Sequence, residues 1–282
     1  MNYWLVTTEH LKDRLWFKEE CDFKVGMNHV AVVSTMFPVT IYSFILMSNH
    51  VHFIVGGCEG DVYGFINEYK RKYSQYFNLK YHSKELLRRN RIDIKSIFLG
   101  DESFERAVAY VQMNCVAANI CLSPITYSWG TGNLFFSQEK QESVLLGSMD
   151  KRAQKSLIHS KRLLPTNYIL NKRGYIDPSS YVDVEFVESV FRTPKRMNYF
   201  LNNSSKALKN TIAPTFNDQL ISSAIKNLCA SLYRKTDFKE LDSQQAANLF
   251  KQIRYRFSAD VHQIARVTGA SLEFIEKSID TF

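Results

Sequence analysis

Leu46-Met47-Ser48-Asn49-His50-Val51-His52-Phe53-Ile54-Val55 sets two imidazoles two residues apart in an apolar, β-favouring run. Side chains alternate faces along a strand, so His50 and His52 share one face and Val51 takes the other. Two neutral imidazoles side by side on a strand form half of a divalent-metal site. The pair alone is a weak signal. With seven histidines in the chain, a chance H-x-H arises roughly once in six such sequences. Its plain alternative is two surface or hydrogen-bonded histidines.

Working outward, Ser48-Asn49 reads as a tight turn between strands at 39–47 and 51–56, the second ended by Gly56-Gly57. Residues 3–8 read as an opening strand, and 22–36 as a helix closed by Pro38. Residues 61–80 show apolar or aromatic side chains near helical spacing, and 92–99 form a short apolar strand. A helix follows through 118, with Phe104, Ala107, Tyr110, Val111 and Asn114 at i, i+3 and i+4 spacings. The order is β-α-β-β-α-β-α, and its first six elements match the split β-α-β arrangement of a ferredoxin-like α+β fold with an antiparallel sheet.

The polar, weakly periodic stretch 137–175 suggests a boundary between a domain at 1–135 and a mostly α-helical C-terminal domain at 136–282. In the latter, 182–201 is helical with a break at Pro194, and 217–234, 241–256 and 260–281 are further helices. Ala265 and Gly269, four apart, suit a helix-turn-helix near 260–281, with Arg254, Arg256 and Arg266 as nearby phosphate contacts. An ordinary helical hairpin is the alternative.

The chain has 282 residues, 45% hydrophobic and 13% aromatic, enough for a sizeable core. No stretch approaches the roughly 18 apolar residues of a membrane span, and the N-terminus lacks a basic leader. Five scattered cysteines without C-x-x-C read as reduced, mostly buried thiols, so a cytoplasmic location is expected. Net charge is +8, which favours a polyanionic partner. The bases cluster at Lys70, Arg71 and Lys72 and at Arg88, Arg89 and Arg91, with Tyr69, Tyr73, Tyr76 and Tyr81 interleaved. Amines for phosphates and rings for bases suit a single-stranded nucleic-acid groove. A solvated helix face with its tyrosines packed inward suits the same pattern.

Tyr110 and Asn114 are four apart and share a helix face one turn apart. An Asn amide oxygen can ligate Mg²⁺ or Mn²⁺, and a phenol one turn away would lie beside the ion. No nearby carboxylate is an obvious base for that phenol, so its proton acceptor stays open.

The full series is H-U-H on a strand (U hydrophobic), a basic-aromatic helix, Tyr110-Val111-Gln112-Met113-Asn114-Cys115-Val116-Ala117-Ala118, then Tyr127-Ser128-Trp129. It resembles the single-tyrosine HUH transposases of single-strand insertion sequences, and most of all their REP-associated tyrosine transposase branch. The resemblance covers about residues 1–135. Cys115 stands where that branch usually has proline, and Asn114 where the insertion-sequence enzymes commonly have glutamine. The resemblance implies one divalent cation, Mg²⁺ or Mn²⁺, held by His50, His52 and Asn114, with Tyr110 as the nucleophile that cleaves and rejoins single-stranded DNA through a 5′-phosphotyrosine. It implies palindromic repeat hairpins as partners and either a monomer or a homodimer. Three other readings stay open: an inactive hairpin-binding or regulatory protein, a metal-dependent hydrolase that does not use Tyr110, and a metal-free RNA-binding module.

Overall fold

The computed structural model describes residues 2–11, 14–83, 87, 90–137, 143–207 and 216–280. Its centre is a four-stranded antiparallel sheet of β1 (Tyr3–Thr8), β2 (Thr40–Met47), β3 (His50–Gly56) and β4 (Ile92–Ile97), ordered β2-β3-β1-β4. The buried strands β2 and β3 are near-continuous apolar runs, as expected where both faces are covered. Their two-residue turn is Ser48-Asn49, so Met47 pairs with His50 and Ile45 with His52. On the other side of β3, Thr7 of β1 pairs with His52.

Two helices connect these strands. For α1 (Glu20–Ser34), a capping box between Glu19 and Asp22 satisfies orphan amides at its start. For α2 (Glu59–Tyr81), the Cys58 thiol caps the Asp61 amide, and the helix stops at His82 in the left-handed region. The expected boundaries are close to these, and 3–8 is matched at both ends.

The expected single helix to 118 is interrupted. It divides into α3 (Ser103–Gln112) and α4 (Asn114–Ala117) at Met113. The Asn114 amide donates to the carbonyls of Tyr110 (2.8 Å) and Val111 (3.3 Å) at the break. Tyr127-Ser128-Trp129-Gly130 lies along the open edge of β2. Leu46 N–H donates to Trp129 O (2.8 Å), and Tyr127 Oη donates to Leu46 O (2.7 Å). Gly130 is required there, since a Cβ would stand 2.7 Å from Phe44 O. An exposed sheet edge is thereby closed.

The remaining elements are β5 (Ser143–Leu145), α5 (Lys151–Leu157), β6 (Ile169–Asn171), α6 (Val184–Phe191), α7 (Pro194–Asn202), α8 (Asp218–Tyr233), α9 (Ser243–Phe257), α10 (Val261–Thr268) and α11 (Leu272–Asp280). The break at Pro194 is real: Thr193 caps α7 and the proline takes its first turn.

Several residues beyond 136 pack against elements that precede it. Leu146, Ile158, Leu164 and Ile176 pack with Ala31 and Val32 of α1. Val187, Phe191, Met197 and Phe200 belong to the cluster around the sheet. Among the described residues a further cluster forms from Ile221 to Ile275, in α8 to α11. Residues 143–180 form the short elements β5, α5 and β6 joined by turns, each of which buries few side chains. All five thiols are free, but Cys21 and Cys58 are exposed, against the expectation of mostly buried cysteines. Among the described residues no helix is long and apolar enough to cross a membrane.

Candidate metal and nucleophile site

The turn after β2 aims His50 and His52 into one pocket with their rings perpendicular and 4.7 Å apart. Both are buried. Asn49 Oδ1 accepts from His50 Nδ1 (2.8 Å), which leaves Nε2 as the ring's lone-pair nitrogen. Thr7 Oγ1 lies 2.9 Å from His52 Nδ1. These contacts orient both rings as a supporting shell orients metal ligands. The two Nε2 atoms are buried and have no hydrogen-bond partner. Buried polar atoms are nearly always satisfied, so a matched pair of orphans aimed at one place calls for a ligand.

A third imidazole, unforeseen in the sequence, completes the cluster. His10 stacks on His50 at 3.6 Å, and ligand atoms of His10, His50 and His52 all lie within 4.8 Å of one another. The segment is pinned by two backbone bonds, Glu9 N–H to Arg91 O (2.9 Å) and Leu11 N–H to Asn49 O (3.0 Å). The signal was the register: with Thr7 opposite His52, the residues after β1 run beside His50. That register is not readable from either strand alone.

All three rings are held neutral. Burial, then the charges of neighbouring groups, pushes His50 well below its ordinary 6.5. His52 falls to about 3, chiefly through burial, with His10 and Lys206 adding to the effect and the Asn114 side chain opposing it. His10, exposed on the outer side of the cluster, is lowered by partial desolvation, then by Lys206 and Arg266. Neutral imidazoles are the form that ligates a metal.

Tyr110 lies edge-on to His52, 5.5 Å between ring centres. Burial raises its phenol above the ordinary 10, with Lys95 pulling it down and Asp93 pushing it up. Lys206 Nζ sits 5.1 Å from the centre of the Tyr110 ring. The structure therefore brings His50, His52, Tyr110 and Asn114 together and adds His10 and Lys206.

The basic-aromatic stretch is placed differently. Tyr69 and Tyr73 are fully buried core rings. Tyr76 and Tyr81 donate to Asp22 Oδ1 (2.8 Å) and Oδ2 (2.7 Å). Lys70 is buried and donates to Asn90 O, while Arg71 and Lys72 pair with Glu68. Among the described residues the α2 tyrosines are therefore engaged within the fold, Tyr69 against Phe53 of β3, Tyr73 against Trp16 and Phe17, and Tyr76 and Tyr81 at Asp22. Arg91 is exposed; Arg88 and Arg89 lie outside the described residues. In the C-terminal bundle, α10 ends at Gly269 in the left-handed region, as a tight interhelical turn requires. Arg266 is engaged by Asp218 (3.1 Å), Arg256 bonds Gln252, and α11 carries Glu273 and Glu276 beside a single lysine.

No protein-family model matches the chain, and no curated protein matches it. A solved structure described as the REP associates tyrosine transposase bound to a REP hairpin is similar to it with a TM-score of 0.39 and 14% identity, over 47% of this chain and 77% of that one. A likeness of that size assigns no function to this chain.

Proposed function

We propose that the chain is a single-tyrosine HUH strand transferase acting on single-stranded DNA, with a ferredoxin-like catalytic unit. The sheet order and the two crossing helices support that fold reading. The observation that carries the functional one is the pair of buried, unpartnered Nε2 atoms beside the Tyr110 ring. The donor set fits a divalent cation: His50 and His52 would hold it, with His10 or Asn114 as a further ligand. Mn²⁺ suits nitrogen ligands better than Mg²⁺ does, because Mg²⁺ prefers oxygen and water. When bound, such an ion would polarise a phosphodiester and offset charge in the transition state.

Tyr110 Oη attacks phosphorus. The Oη–P bond forms as the P–O3′ bond breaks, the phenol proton passes to solvent, and the 3′ oxygen leaves as a hydroxyl after taking a proton. The phosphotyrosine keeps the bond energy, so a 3′-OH can reverse the step and join strands. A half-buried phenol raised above 10 is protonated at neutral pH, so the proton must leave during attack rather than before it. Repeat hairpins are the substrate that the sequence resemblance implies.

The test is incubation with Mn²⁺ and labelled single-stranded hairpins, read on a denaturing gel for a protein–DNA adduct. An adduct absent in Tyr110→Phe supports the reading. One observation favours a second reading: three imidazoles without a carboxylate are also a donor set of hydrolytic zinc centres. A hydrolase of that kind cleaves without an adduct and is unaffected by Tyr110→Phe.

A further inference from the structure

We propose that Lys206 is a catalytic residue that holds the substrate phosphate in the histidine pocket, an inference that rests on the strand-transfer reading of that pocket.

Lys206 lies outside the stretch that carries the sequence motifs. It is delivered by α7, which is fastened to the tyrosine helix. Arg196 of α7 pairs with the buried Glu105 of α3 (2.9 Å) and with Glu102 (3.7 Å), and it lies over Phe200. Met197, Phe200 and Leu201 are core residues. The chain then turns sharply: Ser204 N–H donates to Leu201 O (3.2 Å) and Ala207 N–H to Ser204 O (2.9 Å). The placement of Lys206 against Tyr110 thus follows from a docked helix and a hydrogen-bonded turn.

The electrostatics then select the ligand. The Lys206 charge is felt by His10, His50 and His52. Arg266 also reaches His10 and His50, but Asp218 already neutralises it. Among the described residues Lys206 makes no ion pair. The three-histidine cluster supplies no negative charge. A divalent cation and an ammonium in one partly buried pocket repel each other unless an anion enters between them. A phosphodiester brings that charge, with two non-bridging oxygens to share. A lysine is a point-charge binder of phosphate and needs no fixed fork geometry.

The experiment uses the full chain and a fluorescent single-stranded dT oligonucleotide in EDTA, with affinity measured over a range of salt. Lys206→Met keeps the aliphatic stem over Tyr110 and removes the charge. It is expected to weaken binding about tenfold and to lower the log–log salt slope by about 0.7, one phosphate contact on a single strand. Lys206→Arg is expected to keep the slope. Lys206→Gln is a second charge-removing change, read the same way. An unchanged affinity and slope in either folded variant overturns the proposal. The two readings separate cleanly. A wild-type chain that shows the Lys206-dependent slope yet forms no Tyr110 adduct contradicts strand transfer and leaves the phosphate contact standing. An adduct with a Lys206-independent slope does the reverse.

Discussion

Two buried polar clusters flank this sheet, and they are built to opposite rules. Around Asp22, every acceptor position is filled. Its carboxylate takes the amides of Lys18 (2.9 Å) and Glu19 (3.0 Å), the hydroxyls of Tyr76 and Tyr81, and Lys80 Nζ (2.7 Å). Around His50 and His52, the outer nitrogens are held in place and the inner ones have no partner. Both clusters contain tyrosine and lysine. The difference is satisfaction: a closed network adds stability and needs nothing further, while an oriented but open one is a binding site.

The largest effect that would break this contrast is on chemistry. Tyr110→Phe is expected to leave no detectable DNA adduct on a denaturing gel while changing stability by no more than about 0.5 kcal/mol. Asp22→Ala is expected to do the opposite. Removing one partner from a buried charged network costs about 3–5 kcal/mol in urea unfolding, and the folded fraction should still form adduct.

A metal separates the clusters next. Mn²⁺ at about a hundred times its Kd should raise the unfolding free energy by about 2.7 kcal/mol. This gain should vanish in His50→Ala and His52→Ala and persist in Tyr110→Phe, as read by thermal unfolding with and without EDTA.

The smallest effect comes from His29, buried in α1 with an unpartnered Nδ1. Burial, then the charges of Lys72 and His159, lowers it from 6.5 to about 3. Its folded state resists a proton that the unfolded chain accepts. Its contribution is therefore intact above pH 6.5 and lost as pH falls from 6.5 toward 3. Between pH 7 and 5.5 the wild type should lose about 1.2 kcal/mol more than His29→Gln, and adding Mn²⁺ should not restore that share.

Much of this was legible in the sequence. The turn at Ser48-Asn49 and the common face of His50 and His52 follow from strand periodicity. Tyr110 and Asn114 came together as expected, although Met113 breaks the helix and the Asn114 amide donates at the break. Three features were hidden, each because it depends on how elements meet. His10 is brought in by the pairing of β1 with β3. Lys206 arrives through an ion pair between α7 and α3. The tyrosines of α2 carry the same spacing whether they stack on bases or fill a core, and only the side chains packed against them decide. The packing of Leu146 and Ile158 on α1, and of Val187 to Leu201 on the sheet's cluster, was likewise invisible, since it too depends on how elements meet.

The most direct test of the central claim is peptide mapping. The full chain would be incubated with Mn²⁺ and single-stranded hairpin DNA, digested with nuclease and trypsin, and weighed by mass spectrometry. The account predicts a nucleotide added to the peptide that contains Tyr110, at that side chain. Strand cleavage with the Tyr110 peptide unmodified, or a nucleotide on another residue, would contradict it.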